Sequence, residues 1–157
     1  MFHILIVGDL KFLIKLTYET PIYFSGLVIY PYKKGRLRMN VLLVDDEKKF
    51  VMLLAKRLEL RGFQVSFVNS GMDAIQLIKK GNKFNVAVLD VKMPGIGGIE
   101  LRRELQKLDS NMKFIFLTEH GSQDDYAIGI KEATRYLPKP LKIEVFVETL
   151  LEVAAND

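Results

Sequence analysis

From Met39 onward, short continuous apolar runs alternate with stretches in which apolar residues return every three or four positions. The run at 41–44 predicts a strand, and 47–60 follows as a helix with Phe50, Leu54 and Leu58 on one face and Val51 and Ala55 adjoining. Gly62 ends that helix, and 64–68 predicts a second strand. Ser70 opens the next helix, with Asp73 at the acid position of a capping box; Ala74, Leu77 and Ile78 face inward and Gly81-Asn82 stops it. A third strand at 86–89, the loop MPGIGG and a helix over 99–108 come next, with Leu101, Leu105 and Leu108 in register. The fourth strand is 113–117. Residues 123–131 form a weak helix containing Gly129, poor in apolar side chains and suited to a part that must move. The fifth strand is 134–137, and a helix over 143–154 closes the series with Phe146, Leu150 and Val153 facing in. Such alternation implies βα units and a parallel sheet buried on both faces.

Residues 1–38 do not share this pattern. Their longest stretch without a charged side chain runs over 20–32, too short to span a bilayer, and no positive charge precedes the first apolar run as a secretory signal requires. Residues 22–30 are rich in β-formers, so an added strand or hairpin is one expectation. The favoured expectation is a start codon assigned too far upstream. Met39 begins MNVLLVDDE, and Gly35-Arg36 is compatible with a purine-rich ribosome-binding string shortly before it. N-terminal sequencing of the natively expressed protein decides this, and a chain beginning at Met1 refutes it. The expected division is therefore an N-terminal extension, 1–38, and one domain, 39–157, with no output module after it.

Charge sharpens that division. The first 38 residues hold six Lys or Arg and two Asp or Glu, which is the whole net charge of +4; the remainder holds seventeen of each. A neutral domain gives no support for direct nucleic-acid binding by a basic face. The absence of Cys excludes disulfides, thiolate catalysis and a Cys-based zinc site, and two histidines cannot build a His-rich metal centre.

The candidate chemistry lies at the ends of the apolar runs: Asp45 and Asp46 after the first, Asp90 after the third, Thr118 after the fourth, and Lys139 close to the end of the fifth. Each alone has an ordinary explanation, such as a helix N-cap, a solvated strand end or a surface charge beside a turn. Together, on parallel strands, they gather at the carboxyl edge of one sheet, where open α/β sheets bind ligands. Three neighbouring acids raise one another's pKa and call for a cation. Hard carboxylate oxygens favour Mg2+, which keeps several waters and takes one or two carboxylates.

The strings LLVDDE at 42–47, VLDVKMPGIGG at 88–98, FLT at 116–118 and YLPKP at 136–140, in that order and at helix-plus-strand spacing, resemble a two-component response regulator receiver domain. The resemblance covers roughly three quarters of the chain. It implies a doubly wound α/β fold of the flavodoxin-like kind, five parallel strands in order 2-1-3-4-5 with helices on both faces. It implies Asp90 as the phosphoryl acceptor, Mg2+ held by Asp46, Asp90 and the Lys92 carbonyl with Asp45 acting through water, and Lys139 as the charge that meets the phosphoryl oxygens. Thr118 and Tyr136 become the switch pair, and Lys139-Pro140 a cis bond. The implied partners are a sensor histidine kinase or phosphotransfer protein and a downstream protein target, in the cytoplasm. A homodimer through the face of the 123–131 helix, the 134–137 strand and the 143–154 helix is a further implication. The protein would catalyse only its own phosphorylation and dephosphorylation.

Two positions depart from the family pattern. Glu119 follows the switch threonine where a small residue is usual, and its carboxylate would slow an incoming dianion; Glu132 stands where a Gly is common. By the resemblance, Lys92 and His120 occupy positions that in the family adjust the lifetime of the acyl phosphate. Glu119 also favours the competing expectation of a receiver-like interaction module that works without phosphorylation. A phosphohydrolase would want an acid two residues after the nucleophile, where Lys92 stands, and no GxxxxGK[ST] or GxGxxG favours a nucleotide site.

Overall fold

Asn40–Val44 (β3) is an inner strand of a five-stranded sheet, and its apolar side chains are covered from both sides. The structure, a computed structural model, describes residues 22–24, 27–29, 39–119 and 135–155. The chain divides into two units, Met1–Gly35 and Arg36–Asp157. In the first, Ile22–Phe24 (β1) and Leu27–Ile29 (β2) pair as an antiparallel hairpin with Tyr23 opposite Val28.

In the second unit, β3 is followed by helix Lys48–Glu59 (α1), strand Gln64–Val68 (β4), helix Gly71–Lys79 (α2), strand Val86–Asp90 (β5) and helix Gly98–Leu108 (α3). Strand Lys113–Glu119 (β6), strand Arg135–Lys139 (β7) and helix Ile143–Ala155 (α4) complete the described elements. The strands are all parallel in the order β4-β3-β5-β6-β7, which is 2-1-3-4-5 counted from β3. This is the doubly wound order implied by the resemblance. The expected helix over 123–131, with His120 and Glu132 beside it, lies outside the described residues.

Period-two alternation divides the core. Leu42, Val44, Ala87, Leu89, Phe114 and Phe116 point to one face and pack with Ala74, Ile75, Ile78, Leu101 and Leu105 from α2 and α3. The intervening Val41, Leu43, Val86, Val88, Ile115 and Leu117 are also buried and point the other way, where α1 and α4 bring Val51, Leu54, Leu58, Phe146 and Leu150. Coverage on both sides explains why β5 is buried at all five positions while the edge strand β4 is half exposed.

The helix ends follow local chemistry. The Ser70 hydroxyl accepts from the Asp73 N–H at 3.2 Å, as an N-cap does, and donates to the Asp73 carboxylate at 2.6 Å, so the acid returns to the hydroxyl rather than to the Ser70 backbone N–H of a full capping box. Gly62 and Gly81 both take φ +92° after their helices, a conformation only glycine adopts freely. Two inward positions, Leu108 and Phe50, differ from the periodic expectation. Leu108, the last residue of α3, is 39% exposed because the helix ends before another turn can cover it. Leu77 packs half-buried against this core as expected, and Ile75 joins Ala74 and Ile78 within it. Phe50 is half-buried at the upper end of α1.

Candidate functional site

The carboxyl ends of β3, β5 and β7 bring three charged groups into direct contact. Asp45 follows β3, Asp90 ends β5, and Lys139 ends β7, two strands away from β5 across β6. Strand spacing alone separates the β7 and β5 backbones by about 10 Å, so only a long side chain laid over the end of β6 closes the gap. Lys139 does so: its Nζ lies 2.8 Å from Asp45 Oδ2 and 2.8 Å from Asp90 Oδ1. The Lys139–Pro140 peptide bond is cis.

The two aspartates after β3 have opposite environments. Asp45 is 2% exposed; its Oδ1 accepts the Glu47 N–H at 2.8 Å and its backbone carbonyl accepts from Asn69 Nδ2 at 3.1 Å. Both of its carboxylate oxygens are therefore engaged. Asp46 is exposed, and its carboxylate makes no hydrogen bond or ion pair among the described residues.

Asp90 is 4% exposed. Burial pushes its pKa above the ordinary aspartate value; the Lys139 contact pulls it down, and the charges of Asp45 and Asp46 push it up again. For Lys139, burial alone would lower the pKa, but the two carboxylates outweigh it and the net direction is upward. The ammonium is held charged, while negative charge at Asp90 is under-compensated. Three acids against one lysine, all with hard oxygen donors, fit a divalent cation of the Mg2+ type. Among the described residues no group of three or more His, Cys, Asp or Glu side chains is arranged to hold a metal ion by itself.

Residues 41–151 match the family model of the response regulator receiver domain. The chain belongs to this family. It is 40% identical over 102 residues to the transcriptional regulatory protein CpxR homolog of Haemophilus influenzae, covering 64% of this chain and 44% of that one. It is 33% identical over 117 residues to the sensor kinase CckA of Brucella abortus, covering 73% of this chain and 12% of that one. The chain thus spans less than half the length of the curated relatives it matches. Among solved structures, the receiver domain protein from Clostridium thermocellum superposes with TM-score 0.70 at 27% identity, over 74% of this chain and 94% of that one. The protein contains a two-component receiver domain, whose general function is phosphorelay signal transduction. Receiver domains are signalling modules that work with histidine kinases and downstream effectors, and they generally bind Mg2+ at the phosphorylation site. No helix among the described residues is long and apolar enough to cross a membrane.

The remaining expected site residues lie on β6, on β7 and in the loop after β5. Leu117 pairs in register with Asp90, so Thr118 stands one residue further along the neighbouring strand; its hydroxyl donates to the Glu119 carbonyl at 3.1 Å. Tyr136 pairs with Phe116, their ring centroids 5.1 Å apart, and its phenol oxygen is buried. Lys92 is exposed in the loop after β5.

Two residues at the site were not legible as site residues. Phe50 presents its ring to the Lys139 ammonium, whose nitrogen is 5.0 Å from the ring centroid. Gly98 starts α3 so close beneath β5 that any Cβ there would collide with the Asp90 carbonyl, while its N–H donates to the Val91 carbonyl at 3.1 Å. The GIGG string was the available signal for the second; nothing local marked the first.

Proposed function

We propose that Asp90 is the phosphoryl acceptor of this receiver, that Lys139 stabilises the transferred group, and that Thr118 and Tyr136 report the change to a partner-binding face. The observation that carries this reading is the Lys139 ammonium bridging Asp45 and Asp90 at 2.8 Å each on the ligand-binding edge of the sheet. In the transfer step, an Asp90 carboxylate oxygen forms a bond to phosphorus while the donor's bond to phosphorus breaks. The bonding pair leaves with the donor, a phosphohistidine imidazole or the leaving group of a small phosphodonor. The Lys139 point charge follows the negative charge from the carboxylate to the phosphoryl oxygens.

Asp46, Asp90 and the Lys92 carbonyl would hold Mg2+ directly and Asp45 through water, and the ion would supply charge neutralisation for the transferring group. Asp46 suits the direct role because its carboxylate is exposed and Asp45's is already taken.

Phosphorylation exchanges one negative charge for about two and adds three acceptor oxygens. Thr118 can transfer its hydroxyl from the Glu119 carbonyl to one of them. Phe116 and Thr118 share a face of β6, and Phe116 packs on Tyr136, so a shift of Thr118 is transmitted to the Tyr136 ring. The partners of this cycle are a sensor histidine kinase or phosphotransfer protein and a downstream protein target in the cytoplasm, with homodimerisation through the Tyr136 side as one output. The receiver is not a conventional enzyme, since it turns over only its own acyl phosphate.

A second reading, a protein-interaction module that acts without phosphorylation, is favoured by one feature. Glu119 pairs in register with Lys139, on the side of the strand that Asp90 also faces, and adds an exposed negative charge at the rim. Intact-mass measurement after incubation with a small phosphodonor and Mg2+ separates the two. One added phosphoryl group, absent from Asp90→Asn, supports the first reading; an unmodified wild type supports the second.

A further inference from the structure

Phe50 lies in the first turn of α1, between the acid pair and the core-facing Val51 and Leu54. Helical periodicity assigns it to the core, yet it is only half-buried and its ring faces the Lys139 ammonium at 5.0 Å. The ammonium has three N–H donors, two of which meet Asp45 and Asp90. An aromatic face attracts the charge through its quadrupole without taking a carboxylate-strength hydrogen bond. An acidic or amide side chain at the same place would capture the third donor, and a small one would leave the flexible lysine stem open to water on that side.

We propose that Phe50 is a positioning residue. Its ring face confines the Lys139 ammonium between Asp45 and Asp90 and keeps one N–H available for an incoming phosphoryl oxygen. The role in transfer rests on the phosphorylation reading above; the restraint on Lys139 does not. It acts through Lys139 and needs no contact with the phosphoryl group.

The test uses the full chain with Phe50→Leu, which keeps an apolar side chain without the ring, and Phe50→Tyr, which keeps the ring. Two quantities are read: the ring-current displacement of the Lys139 ε-methylene protons by NMR, and the rate of labelling by a small phosphodonor with Mg2+. Phe50→Leu abolishes the displacement and slows labelling about threefold to tenfold, the range of a partly exposed cation–π contact. Phe50→Tyr retains both, which a loss of general packing would not predict. If Phe50→Leu fails to fold, Phe50→Met serves as the ring-free variant. A labelled wild type whose rate and Lys139 shifts ignore the loss of the ring overturns the proposal alone. An unlabelled wild type that shows the displacement, lost in Phe50→Leu, supports the restraint on Lys139 and sinks the phosphorylation reading.

Discussion

Glu119 and Lys139 face each other in register at the ends of β6 and β7, yet the Lys139 ammonium is given to Asp45 and Asp90. A buried pair of acids outcompetes an exposed one because contact in a dry setting is screened far less. Glu119 is exposed, and its carboxylate makes no hydrogen bond or ion pair among the described residues. Replacing it with Ala is expected to speed labelling by an anionic phosphodonor several-fold at low ionic strength, and the advantage shrinks as salt rises. Initial rates at two salt concentrations check this; a rate independent of both Glu119 and salt would contradict it.

Removing the bridge exposes its structural role. Lys139→Met leaves Asp45 and Asp90 buried side by side without their cation, and is expected to cost about 3–5 kcal/mol of stability at neutral pH. Urea unfolding of the variant measures the loss. Lys139→Arg is not a conservative rescue, since the planar fork cannot reproduce one nitrogen shared between two carboxylates.

The raised pKa of Asp90 sets a pH dependence. A carboxyl whose folded pKa lies above its unfolded value of 3.8 contributes stability that is fully present below that value and lost as pH rises through the folded pKa. Asp90→Asn, which carries no charge to bury, is therefore expected to gain on the wild type as pH rises from the acid range toward neutrality without Mg2+. Urea midpoints at acid and neutral pH check the sign, and added Mg2+ should stabilise the wild type more than the variant.

Much of this was visible along the chain. The parallel sheet followed from apolar runs, because strands covered on both faces need no polar positions, as in β5. The ends of those runs located Asp90, Asp45 and Lys139 correctly at one edge. Which of Asp45 and Asp46 turns inward was less legible, since it depends on the Glu47 N–H and the distant Lys139. Phe50 was hidden for a related reason: its helical period is that of a core residue, and its partner is brought to it only by the folded sheet. Leu108 showed the opposite error, a residue in phase with the core but placed at the helix end.

Gly98 supplies a local prediction. Gly98→Ala pushes a methyl group against the Asp90 carbonyl, so either α3 or the end of β5 must shift. Overpacking of this kind costs about 1–3 kcal/mol, and labelling should slow because Asp90 is displaced. Thermal unfolding and labelling rate, measured together, check it.

Lys92 stands two residues beyond Asp90 and is exposed, so its side chain can be altered without touching the core. Lys92→Ala is expected to change the lifetime of the phosphorylated form by several-fold. Decay followed in purified, pre-labelled protein measures it; unchanged decay would count against a role for the side chain.

The most direct measurement locates the phosphoryl group itself. After labelling of the full chain with a small phosphodonor and Mg2+, proteolysis and mass spectrometry should find one modified peptide, with the group on Asp90. No modification, or modification elsewhere that persists in Asp90→Asn, would contradict the account.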